Sequence, residues 1–101
     1  MKLIKLSDYF SEFCSNGEKS NEFLINIVIP ELEKNEKVCF DFQGIRNMNS
    51  SFSNALFSNL IRKLDREIIK RITFSNCEEN IKLLISTSLS MGLKDLDLRN
   101  K

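Results

Sequence analysis

The sequence predicts an α/β domain in which helices pack on a small, mostly parallel or mixed sheet. Three observations carry that expectation. Short runs at residues 2–6, 38–42 and 71–74 alternate apolar and polar side chains with the period of a strand. Apolar residues recur at helical spacing over residues 20–34, 51–64 and 81–89. The resulting order, strand–helix three times over, favours parallel pairing through right-handed crossovers.

The elements follow in chain order. Lys2, Leu3, Ile4, Lys5 and Leu6 alternate charge with aliphatics and fit an edge or entry strand. Tyr9, Phe10 and Phe13 are expected to cover the sheet edge or core. Residues 14–19 read as a loop, with Asn16-Gly17 as its turn signal. Phe23, Leu24, Ile27, Val28 and Leu32 then share one helical face. Pro30 lacks an amide hydrogen and crowds the preceding turn, so a kink or break is expected there. Val38, Phe40 and Phe42 alternate with Cys39 and Asp41, the pattern of a strand with one well-buried face. In the second helix Phe52, Leu56, Phe57, Leu60, Ile61 and Leu64 fill an arc of roughly 180°. That width predicts a helix lying deep against the sheet, with Asn54, Ser58 and Arg62 on its wet face. Ser75 and Glu78 have the spacing of a capping box before the third helix. Gly92 is expected to stop that helix, leaving residues 93–101 as a mobile tail or a short edge strand.

At 101 residues a single domain over 1–101 is expected, with a core that needs neither disulfides nor a structural metal. Fifteen Lys+Arg against fourteen Asp+Glu give +1. That balance speaks against nucleic acid, which is bound through many phosphate contacts, and against a polybasic membrane patch. Arg62, Lys63, Arg66, Lys70 and Arg71 cluster, but Asp65 and Glu67 among them make a solvated helix end. The chain has no histidine, so the commonest general base and metal ligand is missing. A lone Asp41 at a strand end orders the following loop more readily than it works as an acid or base. The expectation is therefore a non-enzymatic protein with no cofactor and no metal. Cys14, Cys39 and Cys77 are scattered and odd in number, as free thiols are in a reducing cytoplasm. The N-terminus has no apolar leader, and the longest apolar stretch, residues 23–30, falls far short of the ~20 residues of a membrane span. A cytoplasmic location with no membrane contact is expected.

One segment carries chemical information: Asn47-Met48-Asn49-Ser50-Ser51-Phe52, between the second strand and second helix. Small polar residues at a helix start accept the unpaired first-turn amides. Those same amides and the helix dipole also tolerate a phosphate. Phosphorylating a serine there would add about −1.5 to −2 charges and reverse the sign of the net +1.

Residues 38–64 resemble the STAS fold of sulphate transporters and anti-sigma-factor antagonists. In antagonists a strand with an aspartate leads into a Met-Asp-Ser-Ser-Gly type run and an apolar helix. Asp41 and Met48-Asn49-Ser50-Ser51-Phe52 stand in those places, with Asn49 for the acidic residue and Phe52 for the glycine. A likeness over almost the whole chain is to small bacterial STAS-like domains of unknown function. It rests on Leu6-Ser7-Asp8-Tyr9, Val28-Ile29-Pro30-Glu31-Leu32-Glu33 and Asp41-Phe42-Gln43-Gly44. It continues through Ser50-Ser51-Phe52 and Phe57-Ser58-Asn59-Leu60-Ile61-Arg62.

This resemblance implies a small STAS-like α/β fold and a regulatory or protein-interaction role in a bacterium. It puts Ser50 where the antagonists' kinase partners phosphorylate, with Ser51 beside it as a second candidate. The implied partner is a protein, an ATPase-like kinase or a sensor. Its contact surface would combine Asn47 and Asn49 with the helix face of Asn54, Ser58 and Arg62. The alternative is a structural or assembly subunit of a bacterial defence or toxin–antitoxin type operon, never phosphorylated, in which Ser50 and Ser51 are caps only. A homodimer is compatible with both readings.

Overall fold

Residues 38–41 are buried at every position because they form the middle strand of the sheet. In a computed structural model of the chain, which describes residues 1–99, β1 (Lys2–Lys5) and β5 (Ile72–Ser75) flank β3 (Val38–Asp41) in the order β1-β3-β5. Both pairings are parallel, with Leu3, Cys39 and Thr73 in one row and Ile4, Phe40 and Phe74 in the next. A separate parallel ribbon joins β2 (Phe13–Cys14) to β4 (Asn47–Met48). All the pairing is therefore parallel among the described residues, as the helical crossovers require.

Alternation along the strands separates two faces. Ile4, Val38, Phe40, Ile72 and Phe74 point into one apolar core, in which Phe40, Phe57 and Phe74 meet with ring centroids 5.4–5.7 Å apart. The helices lie on that side. On the other side Leu3 and Thr73 are exposed on either side of Cys39. β3 is thus buried on both faces, not on one as its alternation suggests, because its Cys39 and Asp41 are covered as well.

The first long helix, α1, runs over residues 17–34 and begins before the expected residue 20. Asn16 is its N-cap, accepting from the Lys19 amide at 3.1 Å, so Asn16-Gly17 starts a helix instead of closing a turn. Pro30 does not break it. A π turn over Leu24–Val28 precedes the proline, the Ile29 amide reaches back to the Leu24 carbonyl, and the helix continues as Ile29–Lys34. The widened turn is where the missing proline donor is absorbed. Arg71 closes the far end, its guanidinium donating to the carbonyls of Leu32, Asn35 and Glu36.

The second long helix, α2, covers residues 50–64 and also carries a π turn, Asn54–Ser58. Its broad apolar arc packs as expected: Phe52, Leu56, Phe57, Leu60 and Ile61 are fully buried. Its expected wet face is not wet. The third helix, α3 (Glu79–Arg99), crosses it there. Ser58 is buried and donates to the Ser88 carbonyl at 2.7 Å, and Ser88 Oγ donates to Asn54 Oδ1 at 2.7 Å. Arg62 is drawn into an ion pair with Asp95, Nε to Oδ2 at 2.7 Å. These small polar side chains form the seam between two helices and not a solvated stripe.

Gly92 belongs to that seam and does not stop α3. A Cβ there would stand 2.8 Å from Ile61 Cβ and 2.9 Å from the Ser58 carbonyl, so only glycine lets the backbones approach. Residues 93–99 continue the helix in place of the expected tail or edge strand, with Leu96 buried and Asp97 paired to Arg66. Positions 100 and 101 of that expected tail lie outside the described residues. The capping box also differs. Ser75 is the last residue of β5, and the Glu78 carbonyl opens α3 by accepting from the Ile81 and Lys82 amides at 3.0 Å.

Candidate functional site

The loop between β3 and α2 is set by Asp41. Its Oδ1 accepts from the Gln43 amide and from Asn76 Nδ2, each at 2.9 Å, binding together the loops that follow β3 and β5. These bonds, the Asn76 amide first and the Gln43 N–H second, hold the carboxyl below its ordinary range. Asn76 takes a left-handed backbone, φ 54°, to present that amide. Asp41 is used up in ordering loops, in the role expected of a carboxylate at a strand end.

The chain then passes Gly44 and Ile45 and enters β4. Asn47 Oδ1 accepts from its neighbour Met48 N and from Asn80 Nδ2, both at 2.8 Å, which ties the strand to the first turn of α3. Asn49 follows as the N-cap of α2. Its Oδ1 accepts from Phe52 N at 2.9 Å, while its Nδ2 donates to the Ser15 carbonyl at 3.1 Å. The sequence pointed to small polar residues at this cap; the structure gives the task to Asn49 and leaves both serine hydroxyls without it.

Ser50 and Ser51 are exposed in the first turn of α2, and they differ in surroundings. Ser51 lies against the start of α1: its Oγ would be 2.7 Å from a Cβ on Gly17. Together with Ser15, Asn16, Gly17, Glu18 and Asn21 it lines a shallow, open recess between two helix N-termini. Glu18 is the only charged side chain in that lining, so an anion on Ser51 would meet amides and a carboxylate but no cation. Ser50 is absent from the recess lining.

Of the residues expected at a partner surface, Ser50, Ser51, Asn47 and Asn49 come together on one exposed rim. Asn54, Ser58 and Arg62 do not join them. Ser58 is buried, and all three are occupied by α3. Sequence reasoning missed the contribution of α1, whose Asn16, Gly17 and Glu18 form the opposite bank. The available signal was Asn16 itself, a favoured N-cap residue ahead of an apolar helical pattern. Among the described residues no cluster of three His, Cys, Asp or Glu is placed to hold a metal ion. No described helix is long and apolar enough to cross a membrane.

A parallel sheet with helices on one face, and a strand-to-helix junction bearing exposed serines, make this a small α/β domain. A family model described as a STAS-like domain of unknown function (DUF4325) matches residues 21–82, and the chain belongs to that family. Neither the curated proteins nor the solved structures contain a match.

Proposed function

We propose that this chain is a non-enzymatic regulatory module that binds a protein partner in the cytoplasm and is switched by phosphorylation of Ser50. The observation that carries the reading is the exposure of Ser50 in the first turn of a long helix already capped by Asn49. A phosphate added there costs no capping bond. It gains the positive end of the α2 dipole, and about −1.5 to −2 charges change the potential that a partner meets on the rim. Ser51 is the weaker candidate, since Glu18 faces it across the recess. The contact surface in this reading is Asn47, Asn49, Ser50 and Ser51 with the start of α1, in place of the α2 face that α3 covers. The partner is an ATPase-like kinase or sensor protein.

Incubation with ATP and the candidate kinase, followed by intact-mass measurement and peptide mapping, tests the switch. One phosphate on Ser50 is the expected result. No phosphate on either serine removes the switch and leaves an assembly subunit.

A further inference from the structure

The free edge of β1 offers a second interaction surface, on a different element from the serine rim. The Lys2 amide donates to the Lys37 carbonyl at 2.9 Å, which fixes the parity of the ladder. In a strand, successive residues aim their backbone groups at opposite edges, so Lys2 and Ile4 serve β3 while Leu3 and Lys5 aim outward. β1 is the outer strand of the sheet, and its outward row has no strand beside it among the described residues. This row lies in a groove of about 360 Å³ between β1 and one face of α1, which supplies Ile27, Pro30 and Lys34.

The groove has a polarity. At the start of β1, Glu31 stands 3.2 Å from Lys2 Nζ and 4.0 Å from Lys34 Nζ, so one carboxylate serves two ammonium groups and positive charge is left over. Asp8 and Lys5 line the other end, one charge of each sign, so that end is neutral. Between them Ile27 and Pro30 supply apolar surface.

We infer that an extended segment of a partner protein adds to β1 as a fourth strand of the sheet. Its main chain pairs with the Leu3 and Lys5 amides and the Leu3 carbonyl. An acidic side chain meets Lys2 and Lys34, and an aliphatic one rests on Pro30. Main-chain pairing provides the affinity and the one positive end provides the direction, as in other strand-addition complexes. The overhang of α1 suits one narrow strand better than the edge of a second helix-covered sheet.

A phage-displayed library of random dodecapeptides, selected on the whole chain, tests this. Selected peptides should slow hydrogen exchange at the Leu3 and Lys5 amides while leaving the Lys2 and Ile4 amides as they were. Leu3→Pro removes one outward N–H without touching the β1–β3 ladder, and should weaken binding about tenfold, the worth of one main-chain bond. Should that variant fail to fold, the same loss is expected when alternate residues of the peptide are N-methylated. A library that yields no binder overturns the inference, as do binders that leave both amides unprotected. A concentration-dependent dimer that protects the same two amides overturns it in favour of a second copy of the chain.

Discussion

Ser20 and Phe52 join the two helix starts: Ser20 Oγ donates to the Phe52 carbonyl at 2.8 Å, and both residues are buried. Phe10 lies beside this bond, its ring centroid 4.8 Å from that of Phe52 and 5.1 Å from that of Phe23. The first turns of α1 and α2 are therefore one rigid unit, and the serine rim sits on it. Ser20→Ala would leave a buried carbonyl short of a donor and should cost about 1 kcal/mol or more. Urea unfolding measures this, and an unchanged midpoint would mean that the helix starts are held by packing alone.

The division of labour at the start of α2 can be separated by substitution. Asn49→Ala removes the cap and the tether to Ser15, and should destabilise by about 1–2 kcal/mol. Ser50→Ala, at an exposed position with no capping role, should stay within about 0.5 kcal/mol of the parent. Ser50→Asp should also fold normally while changing partner affinity in the direction opposite to Ser50→Ala. Equal affinity for both variants would argue for the unphosphorylated assembly role.

Gly92→Ala tests the helix seam. Alanine in a helix interior is favoured over glycine by about 1 kcal/mol. Here the added methyl would meet Ile61 Cβ at 2.8 Å and the Ser58 carbonyl at 2.9 Å, and neither can swing aside. Overpacking of about 1–3 kcal/mol should win. The expected result is a lower thermal midpoint; a higher one would mean that α2 and α3 separate easily.

Asp41 gives the fold a defined response to acid. Its folded-state pKa is lowered, by Asn76 first and by Gln43 second. Its contribution is complete above the unfolded value of about 3.9, and is lost as pH falls through the lower folded value. Urea midpoints should therefore drop more steeply below about pH 4 in the parent than in Asp41→Asn. Parallel curves would show that the ionised carboxylate does not hold the two loops.

The thiols should be distinguishable by reactivity. Burial pushes the Cys14 thiol up to about 11, and it also raises Cys77, which is only partly covered. A disulfide reagent at neutral pH should label Cys77 first, and Cys14 only after unfolding. Early labelling of Cys14, followed by peptide mapping, would show that the β2–β4 ribbon opens readily.

The regular elements were legible because their periods are long enough to see. Val38, Phe40 and the broad stripe of α2 announce a strand with a well-buried face and a deeply packed helix; both are found, the strand being central and covered on its second face as well. The two-residue strands β2 and β4 cannot show a period and were missed. Other misreadings arose where one residue type answers two physical needs. Asn16 suits a turn or an N-cap, and Gly92 suits a helix stop or a close crossing. Ser58 and Asn54 suit solvent or a helix seam, and only the path of α3 decides between them. At the site, the sequence located the exposed serines but not the opposite bank on α1, because nothing local links Ser15 to Asn49.

The π turn in α2 bears on how the chain tolerates changes in length. A turn closed by Asn59 N on the Asn54 carbonyl holds one residue more than an ordinary helical turn. An extra residue in a regular helix would rotate everything beyond it by about 100°, and the widened turn takes up that surplus so that Ile61 still meets Gly92 and Arg62 still meets Asp95. Deleting a single residue within 54–58 should therefore restore regular winding and keep both contacts, with the capped first turn unmoved. The spacing between the serine rim and the C-terminal helix thus survives a change of one residue in chain length at this turn.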